Sequence, residues 1–173
     1  MNLPLDSEFF VRLDAHLRRP GSGWRITGLD DAGIPGSPPV VCAHRHAVSQ
    51  GCPRILLSAG IHGDEPAGPL AILEHLAEGA FSDQFEWVLF PAINPAGLLR
   101  GTRDNASGID LNRDFLRRQS PETRFFIEQV EGFRGFDLHL SLHEDWEYDK
   151  AYLYELNSGG HPSIAAELLR VTD

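Results

Sequence analysis

The sequence has only two cysteines, no long apolar run and few basic residues, and each shortage excludes a class of protein. Cys42 and Cys52 form no CxxC pair, so neither indicates a thiolate metal site. Their separation alone does not decide whether they pair, and we expect free thiols because these are more common in a cytoplasmic protein. No apolar stretch approaches the roughly 20 residues that cross a bilayer, and the N-terminus lacks a basic start followed by an apolar run. We therefore expect a cytoplasmic protein with no membrane partner.

Basic residues are outnumbered: 15 Lys and Arg against 25 Asp and Glu give a formal net charge of −10. No run of basic residues offsets this average, so a nucleic-acid partner is not expected. At 42% hydrophobic and 23% charged residues, the composition suits a globular domain whose core is large enough to fold without cross-links.

Helical signals occur at four places. Phe9, Leu13 and Leu17 have helical spacing after a capping Asp6 or Ser7, and Pro20-Gly21 ends that helix. Residues 69–76 return to a helical period. Ser120-Pro121 is typical of a helix start, with the end expected near Gly132, and His161-Pro162-Ser163 opens a last helix.

Extended segments alternate with these helices. Residues 24–46 predict a strand, a loop broken by Gly33, Pro35 and their neighbours, and a second strand at 40–43. Nearly continuous apolar runs at 54–60 and 85–90 are typical of central strands, and we also predict strands at 136–143 and 151–154. This alternation predicts an α/β fold on a largely parallel sheet.

Candidate metal ligands follow the predicted central strand 54–60. His62 and Glu65 lie at its carboxyl end, where open α/β sheets place their ligands. Zinc hydrolases often use two histidines and one glutamate, which leaves a fourth position for water. His139 and His143 share one strand but lie about 13 Å apart, too far to bind one ion together. We choose His143, which ends its strand beside a loop with room for substrate.

Two simpler interpretations apply to the motifs taken singly. An HxxE such as His62 to Glu65 is often a capped helix start with an incidental histidine. Asp110, Asn112 and Arg113 lie in a long polar loop and are typical of a turn held by side-chain hydrogen bonds, although a loop of that length usually has a function.

Taken together, the motifs resemble the M14 metallocarboxypeptidase superfamily, which includes the carboxypeptidase A type, murein peptide amidases and the succinylglutamate desuccinylase/aspartoacylase branch. The resemblance spans roughly residues 55–154, and its order and intervals are more specific than any single motif. It consists of HGDEPAG (62–68), NPAG (94–97), the pair Thr102-Arg103, GIDLNRDF (108–115), LSLHED (140–145) and YLYE (152–155).

The resemblance implies a role for each polar residue in these motifs. One zinc ion is held by His62, Glu65 and His143. Arg103, with Arg100 as the less favoured substitute, polarises the scissile carbonyl and stabilises the oxyanion. The remaining roles fall in the DLNR segment: Asn112 and Arg113 bind the free carboxylate of the substrate, and Asp110 orients His62.

The same resemblance implies a zinc carboxypeptidase-like fold, a mixed, largely parallel twisted sheet with helices on both faces. Residues 1–173 would form one domain, the N-terminal two-thirds of a catalytic domain, with a helix and strands in 1–50 and the metal-site region in 51–173. The implied activity is hydrolysis of an amide bond adjacent to a free carboxylate in a small peptide. Alternatives are an N-acyl amino acid deacylase and, in another class, a noncatalytic metal- or ligand-binding domain.

One catalytic residue of the superfamily has no counterpart here. Its general-base glutamate lies well downstream of the third zinc ligand, and this sequence ends at Asp173. Glu144 and Glu147 follow His143 too closely, and Glu155 belongs to YLYE. We therefore expect a piece of a longer enzyme, truncated at its C-terminus, which is not active by itself.

Overall fold

The computed structural model describes residues 4–30 and 36–170 and contains a five-stranded mixed sheet in the order β1-β2-β4-β3-β5. The strands are β1 (Arg25–Leu29), β2 (Val40–Arg45), β3 (Arg54–Ala59), β4 (Glu86–Phe90) and β5 (Leu138–Leu142). β3 is parallel to β4 and β5, whereas β2 is antiparallel to β1 and β4. The carboxyl ends of β4, β3 and β5 therefore meet at one end of the sheet.

The described residues form six helices: α1 (Ser7–Leu17), α2 (Ala67–Glu78), α3 (Pro95–Arg100), α4 (Leu111–Asp114), α5 (Pro121–Glu131) and α6 (Ala165–Arg170). The predicted caps are confirmed. The Asp6 side chain accepts from the Phe9 N–H at 3.0 Å, and the Ser120 side chain caps α5 ahead of Pro121. α2 ends at Gly79 with φ +68°, a left-handed conformation that glycine adopts without steric cost.

Two apolar cores lie on opposite faces of the sheet. The alternation along β4 places Leu89 in one core and Val88 and Phe90 in the other. The core around Leu89 receives side chains from α1 and α2, and the other receives Phe125 and Phe126 from α5. Helices therefore cover both faces, and the predicted mixed α/β sheet is confirmed.

The predicted strand at 151–154 is wrong. These residues have no regular secondary structure, and Tyr154 is 93% exposed. Alternating aromatic and apolar residues favour a strand only when a neighbouring strand pairs with them, and β5 ends the sheet without pairing to this segment. The last helix begins at Ala165, later than the predicted start at 161.

Cys42 and Cys52 are both free, as expected, and burial raises the pKa of the Cys42 thiol to about 12. Gly33 and Pro35, which were predicted to interrupt the loop before β2, lie outside the described residues. Within the described ranges, none of the helices combines the length and the apolar character needed to cross a membrane.

Candidate metal centre

The site begins at the turn between β3 and α2, which carries His62 and Glu65. Gly63 makes this turn possible, because a Cβ at that position would lie 2.0 Å from the carbonyl carbon of Gly97. The backbone of α3 therefore packs directly against the turn. The HGDE and NPAG motifs meet at two glycines because only glycine permits this approach.

His143 reaches the same place from a different strand. It follows β5, which is the parallel neighbour of β3, so both strands end at the same side of the sheet. His62 Nδ1 lies 2.6 Å from Glu65 Oε1, and His143 Nδ1 lies 2.9 Å from Glu65 Oε2. One ligand atom from each of the three residues lies within 4.8 Å of the others. The structure thus brings together the three predicted metal ligands.

The electrostatics of the cluster suit a divalent cation. Burial raises the pKa of the Glu65 carboxyl, but hydrogen bonds with His143 and His62 outweigh it and hold that pKa at about 2. The carboxylate is therefore ionised at neutral pH. Two imidazole nitrogens and one carboxylate are a donor set that zinc takes in hydrolases, with a fourth position left for water. The residues present fit a zinc ion.

Asp110 lies on the other side of the His62 ring. His62 is 3% exposed, and its Nε2 is buried without a hydrogen bond among the described residues; Asp110 Oδ1 lies 3.5 Å from it. Asp110 is itself fixed as the N-cap of α4, where it accepts from the Arg113 N–H at 3.3 Å. A carboxylate near the second nitrogen is the arrangement that orients metal-binding histidines.

Two guanidinium groups contact the same carboxylate oxygen. Arg103 Nε donates to Asp110 Oδ2 at 3.2 Å, and Arg113 Nε lies 3.5 Å from that oxygen. Desolvation raises the pKa of Asp110, but the nearby charges of Arg103 and His62 outweigh this effect, so the pKa lies below its ordinary value. Arg103 Nη1 also lies 3.8 Å from Glu65 Oε1, which places the guanidinium at the edge of the group formed by His62, Glu65 and His143.

The outer side of the site is open to solvent. The Arg113 side chain is 85% exposed and that of Arg103 is 47% exposed, and Asn112 is an exposed residue of α4. Arg100, the alternative to Arg103, is the exposed last residue of α3. Between Arg100 and Arg103, the structure favours Arg103, which contacts both Asp110 and Glu65.

Asn94 positions the loop of Arg103, a role that sequence reasoning missed. It is fully buried; its Oδ1 accepts from the Gly97 N–H at 2.9 Å and its Nδ2 donates to the Arg103 carbonyl at 3.2 Å. The Gly63 N–H donates to the same carbonyl at 3.3 Å. The NPAG motif contained the signal, since an asparagine before a proline is a typical helix cap.

Asn105 is a second buried residue that was missed. Its Nδ2 donates to Glu122 Oε1 at 3.1 Å, and its Oδ1 accepts from the N–H groups of Ser107 and Ile109, both at 3.0 Å. These bonds shape the loop between Arg103 and Asp110. Only the Asn-Ala-Ser-Gly turn chemistry signalled this residue, and its partner in α5 could not be inferred locally.

His139 and the nearby glutamates lie outside the three-residue cluster. The Nε2 of His139 lies 3.0 Å from Ser58 Oγ on β3. The Glu144 carboxylate accepts from the Ala67 N–H at the start of α2, and that of Glu155 accepts from the Ser163 hydroxyl. These contacts assign no general base, and its absence from this sequence stays a prediction.

Solved structures define the class to which this fold belongs. A candidate metallopeptidase from Shewanella denitrificans OS217 superposes over 92% of this chain with a TM-score of 0.75 at 26% identity. A metallo-carboxypeptidase from Burkholderia cenocepacia superposes over 85% with a TM-score of 0.70 at 18% identity. The chain spans 60% and 43% of those two proteins. The fold is therefore that of the metallocarboxypeptidase-like α/β proteins.

Curated relatives and a family profile narrow this class. Human carboxypeptidase D is 30% identical over 149 residues, and carboxypeptidase E of Caenorhabditis elegans is 34% identical over 117. The matches cover 65% and 54% of this chain but 11% and 24% of those proteins. Residues 51–155 match the succinylglutamate desuccinylase/aspartoacylase catalytic domain, and the chain belongs to this family within the M14 superfamily. The predicted resemblance is confirmed.

Proposed function

We propose that this chain carries the zinc centre of a hydrolase that cleaves an amide bond next to a free carboxylate. The observation that carries the proposal is the convergence of His62, Glu65 and His143 from two parallel strands onto one point, beside the Arg103 guanidinium. A metal site bordered by an arginine would provide two of the requirements of amide hydrolysis: an activated water and a cation for the developing oxyanion.

Zinc suits the donor set best, and His62, Glu65 and His143 would hold it. When bound, the ion would lower the pKa of a bound water to about 7 and so supply a nucleophile at neutral pH. Asp110 keeps the His62 ring oriented from its Nε2 side. The Glu144 N–H donates to Glu65 Oε2 at 3.2 Å and helps to fix the carboxylate.

Arg103 is the residue we assign to the substrate carbonyl. Its guanidinium carries five N–H donors, and the hydrogen bond to Asp110 uses one of them. The backbone of Arg103 is fixed by the Asn94 and Gly63 donors to its carbonyl. Because bonds within the protein hold the Arg103 backbone, the guanidinium would need little reorganisation to stabilise an oxyanion.

Arg113 and Asn112 are the residues we assign to the free carboxylate of the substrate. Both lie at the exposed outer side of the site, and Arg113 shares Asp110 with Arg103. A guanidinium and an amide together offer forked hydrogen bonds that match a planar carboxylate. A small peptide with a free C-terminus fits this arrangement.

An N-acyl amino acid deacylase is the second candidate. The family match over residues 51–155, to a succinylglutamate desuccinylase/aspartoacylase catalytic domain, favours it, whereas the named carboxypeptidase relatives favour a peptide substrate. Both substrates place an amide beside a free carboxylate, so the same zinc centre and arginines serve either one.

Metal content tests the centre directly. Every chain in this test, the parent included, carries His46→Ala, so that the separate group of His44, His46 and Glu86 cannot hold the ion. Zinc would be measured by mass spectrometry after each chain is loaded with one equivalent and desalted. We expect the parent to retain zinc and His62→Ala and His143→Ala to lose it. His139→Ala is the matched control, because this histidine lies on the same strand outside the cluster, and it should retain zinc. A parent without zinc, or unchanged zinc in His62→Ala, would contradict the proposed centre.

Substrate class is tested on the whole protein that carries this domain. Release of C-terminal residues from blocked dipeptides is compared with hydrolysis of N-acyl amino acids, and the preferred substrate is then used on variants. Arg103→Ala should lower kcat by about 10²- to 10³-fold, as expected for loss of an oxyanion donor. Arg113→Ala should mainly raise KM. Zinc binding without hydrolysis of either substrate would instead support a noncatalytic binding domain.

A further inference from the structure

We infer a second metal site, formed by His44, His46 and Glu86, that binds a borderline divalent cation such as Zn²⁺ or Ni²⁺. One ligand atom from each residue lies within 4.8 Å of the others. Imidazole nitrogens favour zinc, nickel and copper over magnesium and calcium, which prefer oxygen ligands. No function of the candidate hydrolase centre depends on these residues.

The strand pairing creates this arrangement. β2 and β4 are antiparallel, with His44 opposite Val88 and Arg45 opposite Trp87. Side chains two residues apart on a strand share a face, so His44 and the following His46 face the same side as Glu86. His44 Nε2 lies 2.7 Å from Glu86 Oε1, His46 Nδ1 lies 3.6 Å from the same oxygen, and the two ring centroids are 4.2 Å apart.

This group lies at the opposite end of the sheet from the candidate hydrolase centre. Glu86 begins β4 in register with Arg54, the first residue of β3, whereas His62 follows the last residue of β3. A six-residue strand spans about 20 Å at its usual rise, so the two groups cannot bind the same ion.

Neighbouring side chains hold two of the three ligands in place. Arg54 forms an ion pair with Glu86 Oε2 at 2.9 Å, which leaves Oε1 facing the histidines. The His44 ring packs edge to face on Phe133 with centroids 5.1 Å apart. Partners that fix the orientation of ligands in this way typically strengthen metal binding.

Two arginines oppose a cation here, and the structure indicates how each is accommodated. Arg54 remains paired with the outer oxygen of Glu86. Arg25 is an exposed residue of β1 whose guanidinium contacts His46 Nε2, and it can turn into solvent when an ion occupies the site. Removal of Arg25 should therefore strengthen metal binding. A histidine pair with a purely structural role would not show this increase in affinity.

Calorimetric titration with Zn²⁺ tests the site in a parent that carries His62→Ala and His143→Ala. Because the hydrolase ligands are already absent, the outcome does not depend on the proposed function. We expect one equivalent of zinc to bind, at least 10-fold weaker binding after His46→Ala or Glu86→Gln, and tighter binding after Arg25→Ala. His161→Ala, an exposed histidine outside both clusters, is the control and should bind as the parent does.

Folding is checked by circular dichroism. His46 is the preferred position because its side chain is 56% exposed, and Glu86→Gln keeps the shape of the side chain while removing its charge. A parent that binds no zinc would overturn the site. So would a parent whose affinity is unchanged by both His46→Ala and Glu86→Gln.

Discussion

Asn105→Ala tests whether one buried amide organises the loop that carries Arg103 and Asp110. Asn105 is 5% exposed and bonds in two directions. Its amide donates to both oxygens of Glu122, at 3.1 and 3.3 Å, and its carbonyl oxygen accepts from two backbone N–H groups of the loop. Alanine removes all four contacts without adding bulk.

The expected cost follows from the groups left without partners. Glu122 is 1% exposed, so its carboxyl would lose a donor that water cannot easily replace, at about 1–3 kcal/mol. The Ile109 N–H adds roughly another 1 kcal/mol, whereas the Ser107 N–H adds little because that residue is exposed. We therefore expect a loss of about 2–4 kcal/mol, a large fraction of the stability of an ordinary domain.

Urea unfolding followed by circular dichroism measures this loss. Asn112→Ala is the matched control, because it makes the same chemical change at an exposed position of α4 and should cost less than about 0.5 kcal/mol. The zinc ligands lie on other segments, so the folded Asn105→Ala protein should still bind zinc. If the two variants unfold at the same urea concentration, the loop does not depend on the buried amide and the reasoning is refuted.

Two further predictions concern packing and acid stability. Gly63→Ala should destabilise the fold by about 1–3 kcal/mol or more, because its Cβ would overlap Gly97. Gly28→Ala is the control and should unfold as the wild type does, because nothing lies nearer than 3.8 Å to its added Cβ. Equal urea midpoints for the two variants would contradict the close approach of Gly63 to Gly97. Desolvation raises the pKa of Asp114, but hydrogen bonds led by Thr123 lower it to about 2, so the unfolded chain takes up this proton first as the pH falls. Stability should therefore fall between about pH 4 and pH 2, by about 2 kcal/mol from this group, and an equally steep fall in Asp114→Asn would contradict this.

Local signals were sufficient for most helices and central strands. The caps Asp6 and Ser120 act within three residues of their partners, and the apolar run of β3 is long enough to indicate burial on both faces. These features depend on the chain over a few residues, which is why the sequence alone predicts them.

The segment at 151–154 shows where local signals fail. Its aromatic residues favour a strand, but Tyr152 donates its hydroxyl to Asp145 at 2.8 Å and the segment pairs with no strand of the sheet. Strand formation depends on a partner elsewhere in the chain, and no property of the segment itself reveals whether one exists.

The sequence by itself determined which residue types could bind a metal and which strand ends could present them. His62 and Glu65 are three residues apart, so their pairing is a local property of one turn. His143 was preferred over His139 because it ends its strand, but only the tertiary structure shows that this residue, 78 residues beyond Glu65, reaches that turn while His139 contacts Ser58. The parallel pairing of β3 with β5 sets that choice, because it brings the two strand ends together.

The same distinction separates the two metal sites. The motifs predicted the first, whereas His44 and His46 were given no role from the sequence, because their partner Glu86 lies 42 residues beyond His44. Antiparallel register between β2 and β4 places the carboxylate beside both rings. Side chains distant in sequence meet only through such register, which backbone hydrogen bonds and the burial of both sheet faces impose together.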